Sequence, residues 1–173
     1  MKYFITSAFH EINKFFDSVD PDILFKAVID EGFPKGTFVL AMAQHMAPRI
    51  ILFQSYSSSP IWISVSILAG CFVAVALARV FTRRVLTSIK DVNPKVDLDM
   101  YIDDANQYVV TPNYEDTMEP AHDATTDFAV GADNLKLLLS ENAGLVSNPL
   151  WLASSSPKHL RVKAIYMKNQ TIL

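Results

Sequence analysis

The sequence predicts an α+β fold in which helices pack on one face of an antiparallel sheet. Strand-like and helix-like segments follow one another in the order β-α-α-β-α-β-β-α-β-β, which is typical of this class. Residues 96–111 show the alternation and the central acidic turn of an antiparallel hairpin. Apolar residues make up 50% of the 173 residues, which is enough for the packed core of one domain.

The composition excludes several function classes. Charged residues amount to 19% and the net charge is −3. This excludes a strongly basic protein that coats nucleic acid, so any binding of nucleic acid must use a local basic surface. The single cysteine, Cys71, excludes a disulfide framework and a cysteine-based zinc site, and we interpret it as a small buried hydrophobe. The histidines are far apart and lack a helix-pair zinc pattern, so they are assigned no zinc: His10, His45, His122 and His159.

The segment up to residue 53 predicts one strand and two helices. Residues 3–9 are apolar and tolerate β structure, so they predict the strand. Asp20 is suited to cap a helix whose first residue is Pro21, and an apolar face follows it. A second helix is predicted over 37–53, with a kink or a break at Pro48.

The uncharged segment 61–78 has two interpretations. It meets the minimum for a membrane span and three arginines follow it, so a single-pass membrane protein is one alternative. However, apolar residues alternate with serines over 61–67, which is strand period, and Gly70 then interrupts the pattern. We therefore interpret the segment as a strand over 61–67 that leads into a buried helix over 71–88. The start of the chain has no apolar core long enough for a secretory signal.

The second half predicts further strands and one short helix. Six acids and no Lys or Arg lie in 113–133, which indicates a solvated loop and helix face. A helix is predicted over 134–142, with Gly144 as its C-terminal cap. Strands over 150–153 and 160–167 are expected to complete the sheet.

Two adjacent acids, Asp103 and Asp104, lie at the tip of the predicted hairpin. Strand alternation directs neighbouring side chains to opposite faces, so at most one of them points directly at a given site. Acids are poor strand formers, and one reason for them here is Mg²⁺, which prefers oxygen ligands and is often held by one or two carboxylates. The alternative is an aspartate-rich turn, which side-chain hydrogen bonding to the backbone favours.

Four blocks of the sequence resemble motifs of reverse transcriptases. Tyr101-Ile102-Asp103-Asp104, within 100–104, is similar to the YxDD sequence of motif C. EINKFFDSVD at 11–20 resembles motif A, in which an acid and an aliphatic residue precede a Phe-Asp pair that opens a helix. SILAGC at the start of 66–80 resembles motif B, and AGLVS at the start of 143–155 resembles motif D. The four blocks occur in the family's order, which is more specific than any one of them.

The resemblance implies a single truncated palm domain over residues 1–173, of the retroelement or group II intron type. It implies two Mg²⁺ or Mn²⁺ ions, which in the family stabilise the attacking and leaving oxygens of an in-line displacement. Glu11 takes the place of the motif A acid, Asp103 that of the main motif C acid and Asp104 that of the second. The backbone carbonyl of Ile12 is a further implied ligand. The implied partners are an RNA template, a DNA primer and deoxynucleoside triphosphates.

The resemblance also implies contacts to the nucleotide and to nucleic acid. Phe16 takes the position that packs against the incoming sugar and excludes a 2′-hydroxyl, although an ordinary core Phe is equally consistent with the sequence. Gly70 would let the backbone approach the nucleotide, and Tyr101 would line its pocket. Arginines after motif B could meet phosphates or could form the solvated end of a helix: Arg79, Arg83 and Arg84.

The sequence departs from the family pattern at three motifs. Glu11 replaces an Asp, and the added methylene displaces the carboxylate by a distance that can cost about a hundredfold in rate. Ala69 replaces the usual Gln of motif B, and the first Lys after the motif D start is Lys158. Only ten residues precede Glu11, which leaves no room for a fingers region. We therefore expect an incomplete or inactive polymerase, or a non-catalytic remnant, that is intracellular, in the cytoplasm or nucleus, and that self-associates or needs missing fingers and thumb segments.

Overall fold

The computed structural model describes residues 2–141 and 144–151, which form six strands and five helices. The strands are β1 (Lys2–Glu11), β2 (Leu52–Phe53), β3 (Tyr56–Ser57), β4 (Asp97–Tyr101), β5 (Asp104–Thr111) and β6 (Gly144–Trp151). The helices are α1 (Phe15–Ser18), α2 (Pro21–Asp30), α3 (Lys35–His45), α4 (Ala74–Val92) and α5 (Glu115–Asn134).

Four strands form one antiparallel sheet in the order β4-β5-β1-β6. The strand β1 is hydrogen-bonded along its length to β5 on one side and to β6 on the other. The connection from β1 to β4 contains α1, α2, α3, β2, β3 and α4, and α5 connects β5 to β6. The strands of the sheet and the two long helices therefore follow one another in the order β-α-β-β-α-β. The predicted α+β class, with an antiparallel sheet and packed helices, is confirmed.

Strand alternation gives this sheet one covered and one open face. On β1 the even-numbered residues Thr6, Ala8 and His10 are buried, whereas Phe9 and Glu11 are exposed. The helix α5 covers the buried side through direct side-chain contacts: the hydroxyls of Thr6 and Thr117 lie 2.7 Å apart, and Gln107 Nε2 donates to the carbonyl of Ala124 at 3.1 Å. The odd-numbered side of β1 is therefore the open face.

The helices α4 and α5 approach each other closely at Gly131. A Cβ atom at this position would lie 2.3 Å from Cγ1 of Val85, inside van der Waals contact. The absence of a side chain thus lets the two helices meet, and α4 buries Leu77 and Phe81 in the same core.

The start of α2 follows the local prediction. The carboxylate of Asp20 accepts hydrogen bonds from the backbone N–H groups of Asp22 (2.9 Å) and Ile23 (3.2 Å), and Pro21 is the first helical residue. Lys136 Nζ lies 2.6 Å from the same carboxylate, and this hydrogen bond holds the pKa of Asp20 below its usual value. The cap therefore also ties α2 to the segment after α5.

The helix break predicted at Pro48 is confirmed, but the bounds predicted for that helix and the strand predicted over 61–67 were wrong. The helix predicted over 37–53 is α3, which begins at Lys35, ends at His45 and does not resume after Pro48. The segment 61–67 is not a strand: only Ile61 pairs, in an isolated bridge with Arg49. The following helix, α4, begins at Ala74 rather than at residue 71 and continues to Val92.

The region after α5 also differs from the prediction. The helix predicted over 134–142 does not form: α5 ends at Asn134, residues 135–141 are not helical, and Leu139 makes an isolated bridge with Ile12. Gly144 begins β6 and is not a helix cap, and β6 ends at Trp151 within the strand predicted over 150–153. The strand predicted over 160–167 lies outside the described residues. The acid-rich segment 113–133 forms most of α5 with a solvated acidic face, as predicted.

Among the helices of residues 2–141, none has the length and apolarity that crossing a bilayer requires. The segment 61–78 forms helix only from Ala74, and α4 carries Arg79, Arg83 and Arg84 in its middle.

Candidate functional site

The strands β1 and β5 bring the motif A and motif C segments side by side. Their antiparallel register pairs Glu11 with Asp104. One residue further, the backbone N–H of Ile12 donates to the carbonyl oxygen of Asp103 at 2.8 Å. The early acid and the two mid-chain acids therefore lie at the same end of the sheet.

A row of three residues crosses the open face at this end. Tyr101 on β4 pairs with Asp104 on β5, which pairs with Glu11 on β1. Residues directly opposite in an antiparallel pair have Cβ atoms about 4.5–5.5 Å apart and point to the same face. All three side chains are exposed, so the row formed by Tyr101, Asp104 and Glu11, here called the carboxylate row, can be reached by a ligand.

The next row of the same face adds another acid. Asp99 pairs with Asn106, which pairs with Phe9, and Asp97 lies two residues before Asp99 on β4. Asp97 and Asp99 are not among the site residues predicted from the sequence. The signal was present, because both acids alternate with apolar residues that turn towards the helices.

The hairpin turn between β4 and β5 consists of Ile102 and Asp103. Ile102 has φ of 59°, a left-handed conformation that is unfavourable for a β-branched residue. Asp103 is half-buried in this turn, whereas Asp104 is exposed on β5. The two acids thus occupy different environments, and the acid opposite Glu11 is Asp104.

The donor atoms at this end suit a hard cation. Carboxylate and carbonyl oxygens are the ligands that Mg²⁺ prefers, and one or two carboxylates commonly suffice when substrate phosphates complete the shell. Ile12 is 2% exposed, and no donor within residues 2–141 and 144–151 is hydrogen-bonded to its carbonyl oxygen. Over the same residues, no three His, Cys, Asp or Glu side chains are grouped so that they could hold a metal ion.

The motif A and motif B segments also contact each other through the backbone. The N–H of Ile67 donates to the carbonyl of Phe16 at 2.9 Å, and the N–H of Ser66 donates to that of Val19 at 3.1 Å. The ring of Phe16 is half-buried and meets Phe15 edge-on, with centroids 5.6 Å apart. These bonds place Phe16 beside the loop that leads to Gly70.

Gly70 and the three arginines occupy different surroundings. Gly70 has φ of 83° in an exposed loop, a conformation that glycine adopts without strain. On α4, Arg83 Nε lies 3.1 Å from Glu31, and Arg84 lies 3.5 Å from Asp30. Arg79 is exposed and forms no ion pair with the described residues.

A buried histidine lies directly behind the carboxylate row. His10 is 5% exposed, and its ring stacks on Phe128 with centroids 4.6 Å apart. Neither ring nitrogen has a hydrogen bond of ordinary geometry within the described part of the chain, although the side chain of Gln107 lies near enough to act on its pKa. Burial lowers the pKa of His10, so the neutral ring is favoured in the folded state. His10 therefore supports β1 from the helix side and does not reach the open face.

Comparison with known proteins bears on the fold. No protein-family model matches the chain, and no curated protein matches its sequence. Among solved structures, the chain is similar to apo telomerase from Candida tropicalis truncated from its C-terminal domain, with a TM-score of 0.51 and 9% sequence identity. The similarity covers 88% of this chain and 32% of the telomerase chain. At this identity the likeness concerns the fold alone: the chain has an α+β fold distantly similar to part of that telomerase structure.

Proposed function

We propose that this chain is a reverse-transcriptase palm domain of the retroelement or group II intron type, built for RNA-directed DNA synthesis by metal-dependent nucleotidyl transfer. The observation that carries the proposal is the β1–β5 register, which pairs Glu11 of the motif A block with Asp104 of the motif C block. The distant similarity of the fold to the telomerase structure supports the same proposal.

The residues at the end of the sheet would hold two Mg²⁺ ions. Glu11 and Asp104 would supply the facing carboxylates, and the carbonyl oxygen of Ile12, which accepts no hydrogen bond from the described residues, would be a further ligand. Asp103 would have to rotate out of the hairpin turn to add a third carboxylate, since the three acids as placed form no group that could hold an ion. When bound, such ions stabilise charge on the attacking and leaving oxygens of a phosphoryl displacement. The site opens to solvent on the uncovered face, so a primer terminus and a triphosphate could both reach it.

Other residues would position the nucleotide. Tyr101 flanks Asp104 on the open face and would pack against the incoming base or sugar. Phe16 would limit the space at the sugar, and Gly70 would let the motif B loop approach the base. Because this chain spans 32% of the length of its telomerase neighbour, we propose that other segments supply the triphosphate and duplex contacts of a complete polymerase.

A non-catalytic remnant is the second candidate, and one specific feature favours it. Glu11 stands where the resembling family has Asp, and a displaced carboxylate of this kind can cost about a hundredfold in rate. The remnant would keep the palm fold and lose metal binding.

Mg²⁺-dependent stabilisation separates the two candidates. We expect the melting temperature to rise with Mg²⁺ in wild type, since an ion that binds only the folded state stabilises it. The rise should disappear in Asp104→Asn and Glu11→Gln. It should remain in Asp133→Asn and Glu119→Gln, matched changes at exposed acids of α5. No Mg²⁺ response in wild type, or an equal loss in the control variants, would favour the remnant.

A primer-extension assay then tests the chemistry. With a DNA primer on an RNA template and Mg²⁺ or Mn²⁺, we expect the chain alone to give no processive synthesis. Processive, template-dependent synthesis would contradict the claim that further segments are needed.

A further inference from the structure

One groove borders the carboxylate row and shares Tyr101 with it. It lies between α4 and β4 and has a volume of about 390 Å³. Its wall on the β4 side is formed by Met100, Tyr101 and Ile102, which lead into the hairpin turn. Tyr101 is itself a member of the carboxylate row, so the groove runs up to the candidate site.

The wall on the α4 side carries two cations. Arg79 and Arg83 line the groove, and residues four apart lie one above the other on a helix face. The ion pair of Arg83 with Glu31 uses the Nε atom of the arginine, and a guanidinium group has five N–H donors, so four remain. Arg79 has no acidic partner in the described chain. Both side chains can therefore meet an anion in the groove.

The open face itself repels phosphate. Asp99, Asp104 and Glu11 are exposed on it, together with Asp97, which pairs with Lys90 of α4 at 2.9 Å. Burial raises the pKa of the Tyr108 hydroxyl, and the negative charges of Asp97 and Asp99 on the same face act in the same direction. A polynucleotide that lies over this face must be held by cations at its border, because net attraction to a chain of charge −3 can only be local.

We propose that the α4–β4 groove binds the phosphodiester backbone of a polynucleotide strand, with Arg79 and Arg83 donating to phosphate oxygens. Arg84 takes no part. This inference rests on the proposed function and names where this chain holds its nucleic acid. Guanidinium groups match phosphate oxygens with two parallel hydrogen bonds, which fixes the strand beside the carboxylate row.

Arg84 provides a matched control within the same helix. Its side chain is 84% exposed, against 68% for Arg83, and it pairs with Asp30. It lines a different groove, formed with α2 and α5, that also contains Asp127. Exposure alone would make Arg84 the better phosphate contact, whereas the groove geometry selects Arg79 and Arg83.

The test is fluorescence anisotropy of a labelled, mixed-sequence single-stranded RNA or DNA oligonucleotide in EDTA, over a series of salt concentrations. We expect Arg79→Ala to raise Kd about tenfold, as for a lost charged hydrogen bond. The slope of log affinity against log salt should become shallower by about 0.7, as for one lost phosphate contact. Arg83→Ala should act in the same direction, Arg79→Lys should recover part of the loss, and Arg84→Ala should change neither quantity.

Three results would overturn the inference: no binding by the wild-type chain, equal losses in Arg79→Ala and Arg84→Ala, or an unchanged salt slope in Arg79→Ala. Far-UV circular dichroism establishes that each variant folds. Because the assay contains no divalent metal, its failure is distinct from that of the proposed function. If the groove variants weaken oligonucleotide binding but Mg²⁺ does not stabilise the fold, the groove inference stands and the proposed metal chemistry fails. If Mg²⁺ stabilises the fold but the groove variants do not change binding, the metal site stands and the groove inference fails.

Discussion

The four-stranded sheet and the connection between α3 and α4, residues 46–73, are both rich in apolar residues, yet they differ in what covers them. In the sheet, Ala105 and Val109 are 0% and 1% exposed. In the connection, Leu52 and Trp62 are each 76% exposed. From residue 50 onward the connection belongs to a stretch, 50–78, that carries no Asp, Glu, Lys or Arg. Apolar character is therefore similar in the two regions, and burial is not.

A strand-like sequence pattern therefore forms a strand only where a partner strand is available to hydrogen-bond with it. The strand β1 has a hydrogen-bonded neighbour on each side and α5 on one face. In the connection, β2 and β3 contribute two residues each, and a hairpin of this length is at best marginally stable by itself. Such exposed apolar surface is where the predicted self-association would act, and that prediction stays untested.

Replacing a Phe by Ala in each of the two regions should give the largest difference in the free energy of unfolding. Phe81 is 1% exposed and meets Phe15 edge-on, so Phe81→Ala should lower the free energy of unfolding by about 3–5 kcal/mol. Phe53 is 69% exposed on β2, and Phe53→Ala should change it by less than about 0.5 kcal/mol. Urea unfolding measures both. Similar losses would mean that the connection is as well packed as the sheet and its helices.

Replacing glycine by alanine should have opposite effects on stability at a packed position and at an open one. Gly131→Ala places a Cβ against Val85 at the α4–α5 contact and should cost about 1–3 kcal/mol of unfolding free energy. Gly36→Ala, inside α3 with open space around it, should instead stabilise by about 0.4–1 kcal/mol. Thermal and urea unfolding give the signs, and a stabilising Gly131→Ala would show that the two helices do not touch there.

Lowering the pH should weaken the protein through its two buried histidines. Burial lowers the pKa of His10, and burial with the charge of Arg49 lowers that of His45. Each folded-state pKa lies below the ordinary value of 6.5, so the unfolded chain binds the proton first. Their contribution to stability is complete above pH 6.5 and is lost as the pH falls below it.

The measurement is the urea midpoint between about pH 7.5 and about pH 5. In His10→Leu the urea midpoint should fall less as the pH is lowered. In His122→Leu, a change at an exposed position on α5, it should fall as much as in wild type. His45 adds a structural readout, since its Nδ1 accepts the backbone N–H of Leu68 at 2.9 Å and protonation breaks this bond. A decline of equal size in wild type and His10→Leu would assign the pH dependence to other groups.

Local chemistry made some elements predictable. The Asp20 cap and the Pro21 start of α2 were predicted because both depend on a few adjacent residues. The hairpin was predicted because its alternation extends over two strands. The helix over 134–142 was wrong because tertiary pairing overrides its propensity: Asn13 donates to Leu138, and Ser140 donates to Glu11.

The candidate site could be predicted in part. The motif resemblance selected Glu11, Asp103 and Asp104, and alternation indicated that the two aspartates diverge. Which aspartate lies opposite Glu11 depends on the strand register, and a shift of one residue would exchange the faces. The register pairs Asp104 with Glu11 and leaves Asp103 in the turn.

We propose that the carboxylates of Glu11 and Asp104 bind the same divalent ion on the open face. A double-mutant cycle of Mn²⁺ affinity, with Glu11→Gln, Asp104→Asn and their combination, tests it most directly. We predict that each single change weakens binding and that the combined loss differs from the sum by about 0.5–3 kcal/mol, as for two ligands of one ion. Strictly additive losses, or an affinity that neither change affects, would contradict the account.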